Sequence, residues 1–111
     1  MKTKDELKPN YAPVYCAAMY PELCKVFHEH GYALAVHGSL ARDMDLIAVP
    51  WAEHVDDADV VLASVCKRYA VKVIGGGEIK PHGRTAYTLS VGFGACSIDL
   101  SFMPVMKGGE A

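Results

Sequence analysis

The sequence predicts an α+β fold, a mixed β-sheet packed against helices, built as one domain over residues 1–111. Three observations carry this. Segments 13–30 and 57–70 repeat apolar residues at three- and four-residue spacings, the period of a helix with one buried face. Short apolar runs bounded by Gly, Pro or polar residues lie between and after them, as strands do. The order is helix, strand, strand, helix, then a run of strands, which suits a sheet covered by helices.

The chain has 111 residues, 51% hydrophobic and 22% charged, enough for one core and far from the composition of a disordered chain. Polar residues 1–10 and Gly-rich residues 107–111 are expected to fray.

In segment 13–30 the stripe is Tyr15, Met19, Leu23, Val26 and Phe27, and Gly31 stops the helix. Residues 32–36 form a buried strand that runs into His37-Gly38-Ser39, and 44–49 form a second strand closed by Pro50. The helix over 57–70 places Val60, Val61, Ser64, Val65, Arg68 and Tyr69 at helical spacing. Acidic residues at its start and Lys67 and Arg68 near its end complement its dipole. Residues 71–74 make a strand, Gly75-Gly76-Gly77 a turn, and 78–83 a loop. Residues 85–91 and 96–102 read as strands of a hairpin joined across Gly92-Phe93-Gly94.

Charge and composition exclude several classes of function. A net charge of -2 supplies no broad basic footprint, which argues against long nucleic acid as a partner. A nucleotide or other small phosphorylated ligand needs only a few placed cations. No apolar run approaches the roughly 20 residues that span a bilayer, so no membrane partner is expected. Cys16, Cys24, Cys66 and Cys96 are scattered, without a C-x-x-C pair, and no signal peptide opens the chain. That pattern suits reduced thiols in a cytoplasmic protein. A second copy of the chain, as a homodimer, stays open as a partner.

The chemistry concentrates in HGSLARDMDLIAVPW, residues 37–51. Asp43 and Asp45 stand two apart, so on a strand both face one side of the sheet. Carboxylates side by side repel unless a cation lies between them. Mg²⁺ (or Mn²⁺) suits that place, because it takes carboxylate oxygens together with waters and phosphates. In the last strand Ser97, Asp99 and Ser101 alternate with Ile98, Leu100 and Phe102, giving one polar and one apolar face. If that strand lies beside 44–49, Asp99 joins Asp43 and Asp45 as a catalytic and metal-binding set. Gly38-Ser39 offers backbone N–H groups and a hydroxyl to a phosphate. Arg42, and His82 with Arg84 in KPHGR, supply cations for the same ligand. Plainer roles exist for each: Asp at a strand start, Arg42 in a surface ion pair, an exposed basic loop, a buried His37, and Trp51 as a rim aromatic.

A Gly-Ser turn after a strand, Asp-x-Asp on the next strand and a third Asp on a late strand together resemble the nucleotidyltransferase superfamily. The likeness runs from the first helix to Pro104 and is greatest to minimal, single-domain, polymerase-β-like members. The GSLARDMDLIAVPW and IDLSFMP segments also look similar to those of small phage and prophage proteins. The resemblance implies that Gly38 and Ser39 hold a triphosphate and that Asp43 and Asp45 bind the metal. Asp99 would be the third ligand or the base that activates an acceptor. In one respect the chain departs from the family: only Leu40, Ala41 and Arg42 separate Gly-Ser from Asp-x-Asp, where the family has a longer loop and helical turn. The leading expectation is therefore a Mg²⁺-dependent nucleotidyltransferase. The alternatives are a non-catalytic module that binds a nucleotide or second messenger, as a phage accessory protein, and a metal-dependent phosphohydrolase.

Overall fold

The computed structural model describes residues 12–38, 43–91 and 97–105, and for residues 12–17 the backbone alone. Ser39 and Arg42, the Leu40–Arg42 connection, the Gly92-Phe93-Gly94 turn, Cys96 and the two ends expected to fray lie outside the described residues, as do the side chains of Tyr15 and Cys16.

Helix α1 (Ala12–Glu29) buries Leu23, Val26 and Phe27, the stripe that the periodicity marks. It continues through Pro21, whose ring removes one internal hydrogen bond. Gly31 ends the turn after the helix with φ 92°, a backbone state that suits glycine. Strand β1 (Tyr32–His37) follows, then β2 (Met44–Pro50), α2 (Ala58–Arg68), β3 (Lys72–Ile79), a 3₁₀ turn (Pro81–Gly83), β4 (Thr85–Ser90) and β5 (Ser97–Phe102).

The five strands form one mixed sheet in the order β1-β2-β5-β4-β3. β1 and β2 are antiparallel, β2 and β5 parallel, and β5, β4 and β3 antiparallel in turn. β4 and β5 pair from Thr85↔Phe102 to Ser90↔Ser97, the pairing a hairpin requires.

Alternation divides the sheet into two faces. Met44, Leu46 and Ala48 of β2, Leu89 of β4, and Ile98, Leu100 and Phe102 of β5 are buried in one cluster with Leu23, Val26 and Phe27 of α1 and Val61, Leu62 and Val65 of α2. Both helices therefore cover the same face. Asp45, Thr88 and Asp99 point to the other, which no described helix covers.

The glycine run differs from expectation. Gly75-Gly76-Gly77 is not a turn that ends a strand; β3 passes through it to Ile79, with a register shift between Ile74 and Glu78. Gly75 has φ 69°, and a Cβ on Gly77 would come within 2.8 Å of the Tyr87 ring. The glycines let the edge strand bulge and still lie against β4.

Cys24 and Cys66 are free thiols. Among the described residues no helix is long and apolar enough to cross a membrane.

Candidate functional site

Parallel pairing of β2 with β5 sets Asp45 directly beside Asp99. The register extends the row in both directions, since His37 of β1 lies opposite Asp45 and Thr88 of β4 opposite Asp99. Asp43 precedes β2 by one residue, and its Oδ1 accepts a hydrogen bond from the Ser97 backbone N–H at 3.3 Å. Asp45 and Asp99 are thus neighbours at one end of the open face, while Asp43, held by Ser97, does not line the cavity there.

Their proximity shows in Asp99, whose pKa is raised. Burial is the largest cause, followed by the charges of Asp43 and Asp45 and a hydrogen bond with Asp45; His37 opposes the shift. Burial and like charge thus both disfavour the ionised form of Asp99. Among the described residues, however, no three His, Cys, Asp or Glu side chains stand so as to hold a metal ion. Asp45 and Asp99 form the pair, while one oxygen of Asp43 is engaged by Ser97.

Gly38 shapes this end of the site. It has φ 78°, and a Cβ there would lie 2.5 Å from Asp45 Oδ2. Only glycine lets the backbone turn sit against that carboxylate.

A cavity of about 470 Å³ extends from His37, Asp45 and Asp99 across the sheet to Glu78, Lys80 and Arg84. Arg84, half-buried, donates a long hydrogen bond from Nη1 to the Ser101 hydroxyl at 3.5 Å. Lys80 Nζ lies 3.1 Å from Glu78 Oε1. Arg84 lines the cavity, while His82 is exposed on the 3₁₀ turn at φ 70° and does not line it. Its left-handed backbone takes it out of the alternation that aims Arg84 at the open face. Lys80 is not among the sequence candidates for ligand binding, and His37, for which burial is the plainer role, lines the cavity half-buried. Lys80 heads the same KPHGR segment and shares strand parity with Glu78, which is the signal that marks it.

Trp51 lies elsewhere, 57% exposed beside a separate cleft of about 620 Å³ lined also by Val49, Met103 and Val105. It stacks on His28 with ring centroids 4.7 Å apart, the position of a rim aromatic.

Compared with known protein families, with curated proteins and with solved structures, the chain matches none.

Proposed function

We propose that the cavity is a divalent-cation-dependent nucleotide site and that the protein transfers a nucleotidyl group to an acceptor. The observation that carries this reading is the β2–β5 register, which sets Asp45 beside Asp99 with Asp43 close enough to raise the Asp99 pKa. The donor set fits Mg²⁺ or Mn²⁺: the paired Asp45 and Asp99 offer only carboxylate oxygens and would hold the ion, with Asp43 joining them only on leaving Ser97. Bound there, the cation supplies electrostatic stabilisation of phosphoryl transfer.

The chain's own groups supply the rest. The acceptor hydroxyl attacks the α-phosphorus, the bond to pyrophosphate breaks, and the hydroxyl proton passes to a carboxylate. Asp45 and Asp99, side by side at the reacting end of the cavity, are the carboxylates placed to take it. Gly38 holds the turn against Asp45 and so fixes the carboxylate's position. Arg84 offers a guanidinium to phosphate oxygens. A cytoplasmic setting suits this reading.

A second reading, a module that binds nucleotide without turnover, is favoured by one observation: Asp43 is engaged by Ser97 and the three-carboxylate ligand set is not closed. Incubation with labelled nucleoside triphosphates, Mg²⁺ and a panel of acceptors separates the two. Nucleotidyl transfer yields a labelled product that Asp45→Ala abolishes. Calorimetric nucleotide binding without any product leaves the binding module, and absence of nucleotide binding removes both.

A further inference from the structure

Two cations occupy the end of the cavity remote from Gly38. Lys80 and Arg84 flank the 3₁₀ turn, and the Lys80 N–H donates to the Arg84 carbonyl at 2.8 Å, which closes the turn and fixes the two residues relative to each other. The turn contains consecutive left-handed residues, His82 at φ 70° and Gly83 at φ 77°. Such a conformation in a residue with a Cβ costs on the order of 1–3 kcal/mol and persists where surrounding contacts enforce it.

The charge environment of the two cations differs from that of a solvated pair. Among the described residues no carboxylate lies within ion-pair distance of Arg84. Lys80 is 36% exposed and its partner Glu78 is 71% exposed. An exposed pair of this kind contributes under about 1 kcal/mol, so an incoming phosphate can replace the glutamate. Ser101, beside the Arg84 guanidinium, shares a face with Asp99 two residues away, roughly 7 Å along the strand. Without a bound cation the opposite end of the cavity repels phosphate, because the Asp45 carboxylate lies against the Gly38 turn beside Asp99.

We infer that Lys80 and Arg84 bind the phosphates of a nucleoside triphosphate that lie away from the reacting centre, so that the polyphosphate runs across β5 and β4 rather than over the Gly38 turn. This rests on reading the cavity as a nucleotide site. It adds a subsite that works without a cation and names a polyphosphate as the class of ligand.

Calorimetry with inorganic tripolyphosphate in the presence of a chelator tests it. The wild-type protein binds. Lys80→Met and Arg84→Gln each weaken binding by about tenfold, as expected when a charge-assisted hydrogen bond is lost. Arg84→Lys restores part of the loss, which a misfolded variant could not do. Lys72→Met, an exposed lysine on β3 outside the cavity lining, leaves binding unchanged. Asp45→Asn binds as well as wild type or better, because it removes a negative charge from the cavity. Binding indifferent to both Lys80 and Arg84, or no tripolyphosphate binding by wild type, overturns the subsite. If Asp45-sensitive nucleotidyl transfer persists in that case, the activity stands and the subsite alone fails. Tripolyphosphate held through both residues by a protein that gives no product supports the subsite and removes the transferase.

Discussion

Asp99 is pressed toward its neutral form by burial and by two neighbouring carboxylates. The folded protein therefore keeps the Asp99 proton to a higher pH than the unfolded chain does. From the ordinary value of 3.8 up to the raised one, the native state binds more protons than the unfolded state, so stability falls as pH rises through that window. Without divalent cations, Asp99→Asn should melt a few degrees above wild type at pH 7, with the gap closing toward pH 4. Thermal melts followed by circular dichroism in a chelator measure this, and a difference that ignores pH would refute the account. Adding Mg²⁺ should raise the wild-type Tm more than the variant's. Asp99 was legible in the sequence because a carboxylate inside SIDLSF must share a face with the serines. Lys80 and His82 were not separable, because which residue of KPHGR enters a cavity depends on the φ of His82, a product of turn closure rather than of residue type.

At the scale of elements, the end of α1, the start of β1 and the segment 51–57 are tied into one joint at Gly31. Its carbonyl accepts from the Trp51 N–H at 3.1 Å and the Ala52 N–H at 3.4 Å, while the His30 carbonyl accepts from the Asp56 N–H at 3.0 Å. The Asp56 carboxylate hydrogen-bonds His30 Nδ1 at 2.6 Å and His54 Nε2 at 3.0 Å, and these bonds hold its pKa below the usual range. A side chain at Gly31 has no room, since a Cβ would lie 2.4 Å from the His54 carbonyl oxygen and φ is 92°. Gly31→Ala should cost more than about 1 kcal/mol, read from the urea midpoint. Gly76→Ala, with nothing within 4 Å of the new Cβ, should shift stability by no more than about 0.5 kcal/mol. Equal midpoints for the two variants would mean that the joint yields. The sequence marked Gly31 correctly as a stop, because the helical period ends there. It misread Gly75-Gly76-Gly77, because a glycine run signals a turn and a bulge alike, and only pairing with β4 and packing under Tyr87 decide between them.

For the whole molecule, one sheet divides its labour between two faces. The order β1-β2-β5-β4-β3 is a set of long-range pairings that periodicity does not encode, yet alternation already put Asp43 and Asp45 on one side of the sheet and divided 97–102 into a polar and an apolar face. Ile98 and Leu100 flank Asp99 in the chain but point to the opposite side, where they are 1% exposed among the helices. This makes stability and ligand binding separable over a single residue step. Ile98→Val should lower stability by about 0.5–1.5 kcal/mol and Leu100→Ala by about 2–5 kcal/mol, through lost burial and the cavity left behind. For Ile98→Val, tripolyphosphate affinity should stay within about twofold of wild type, because its side chain is 1% exposed on the covered face and lies outside the cavity lining. Lys80→Met should do the reverse, weakening the ligand while moving stability by no more than about 0.5 kcal/mol. Denaturant midpoints and calorimetry on the three variants read both quantities. If Ile98→Val weakened binding as much as Lys80→Met, the sheet would be transmitting core packing to the cavity and the two faces would not act independently.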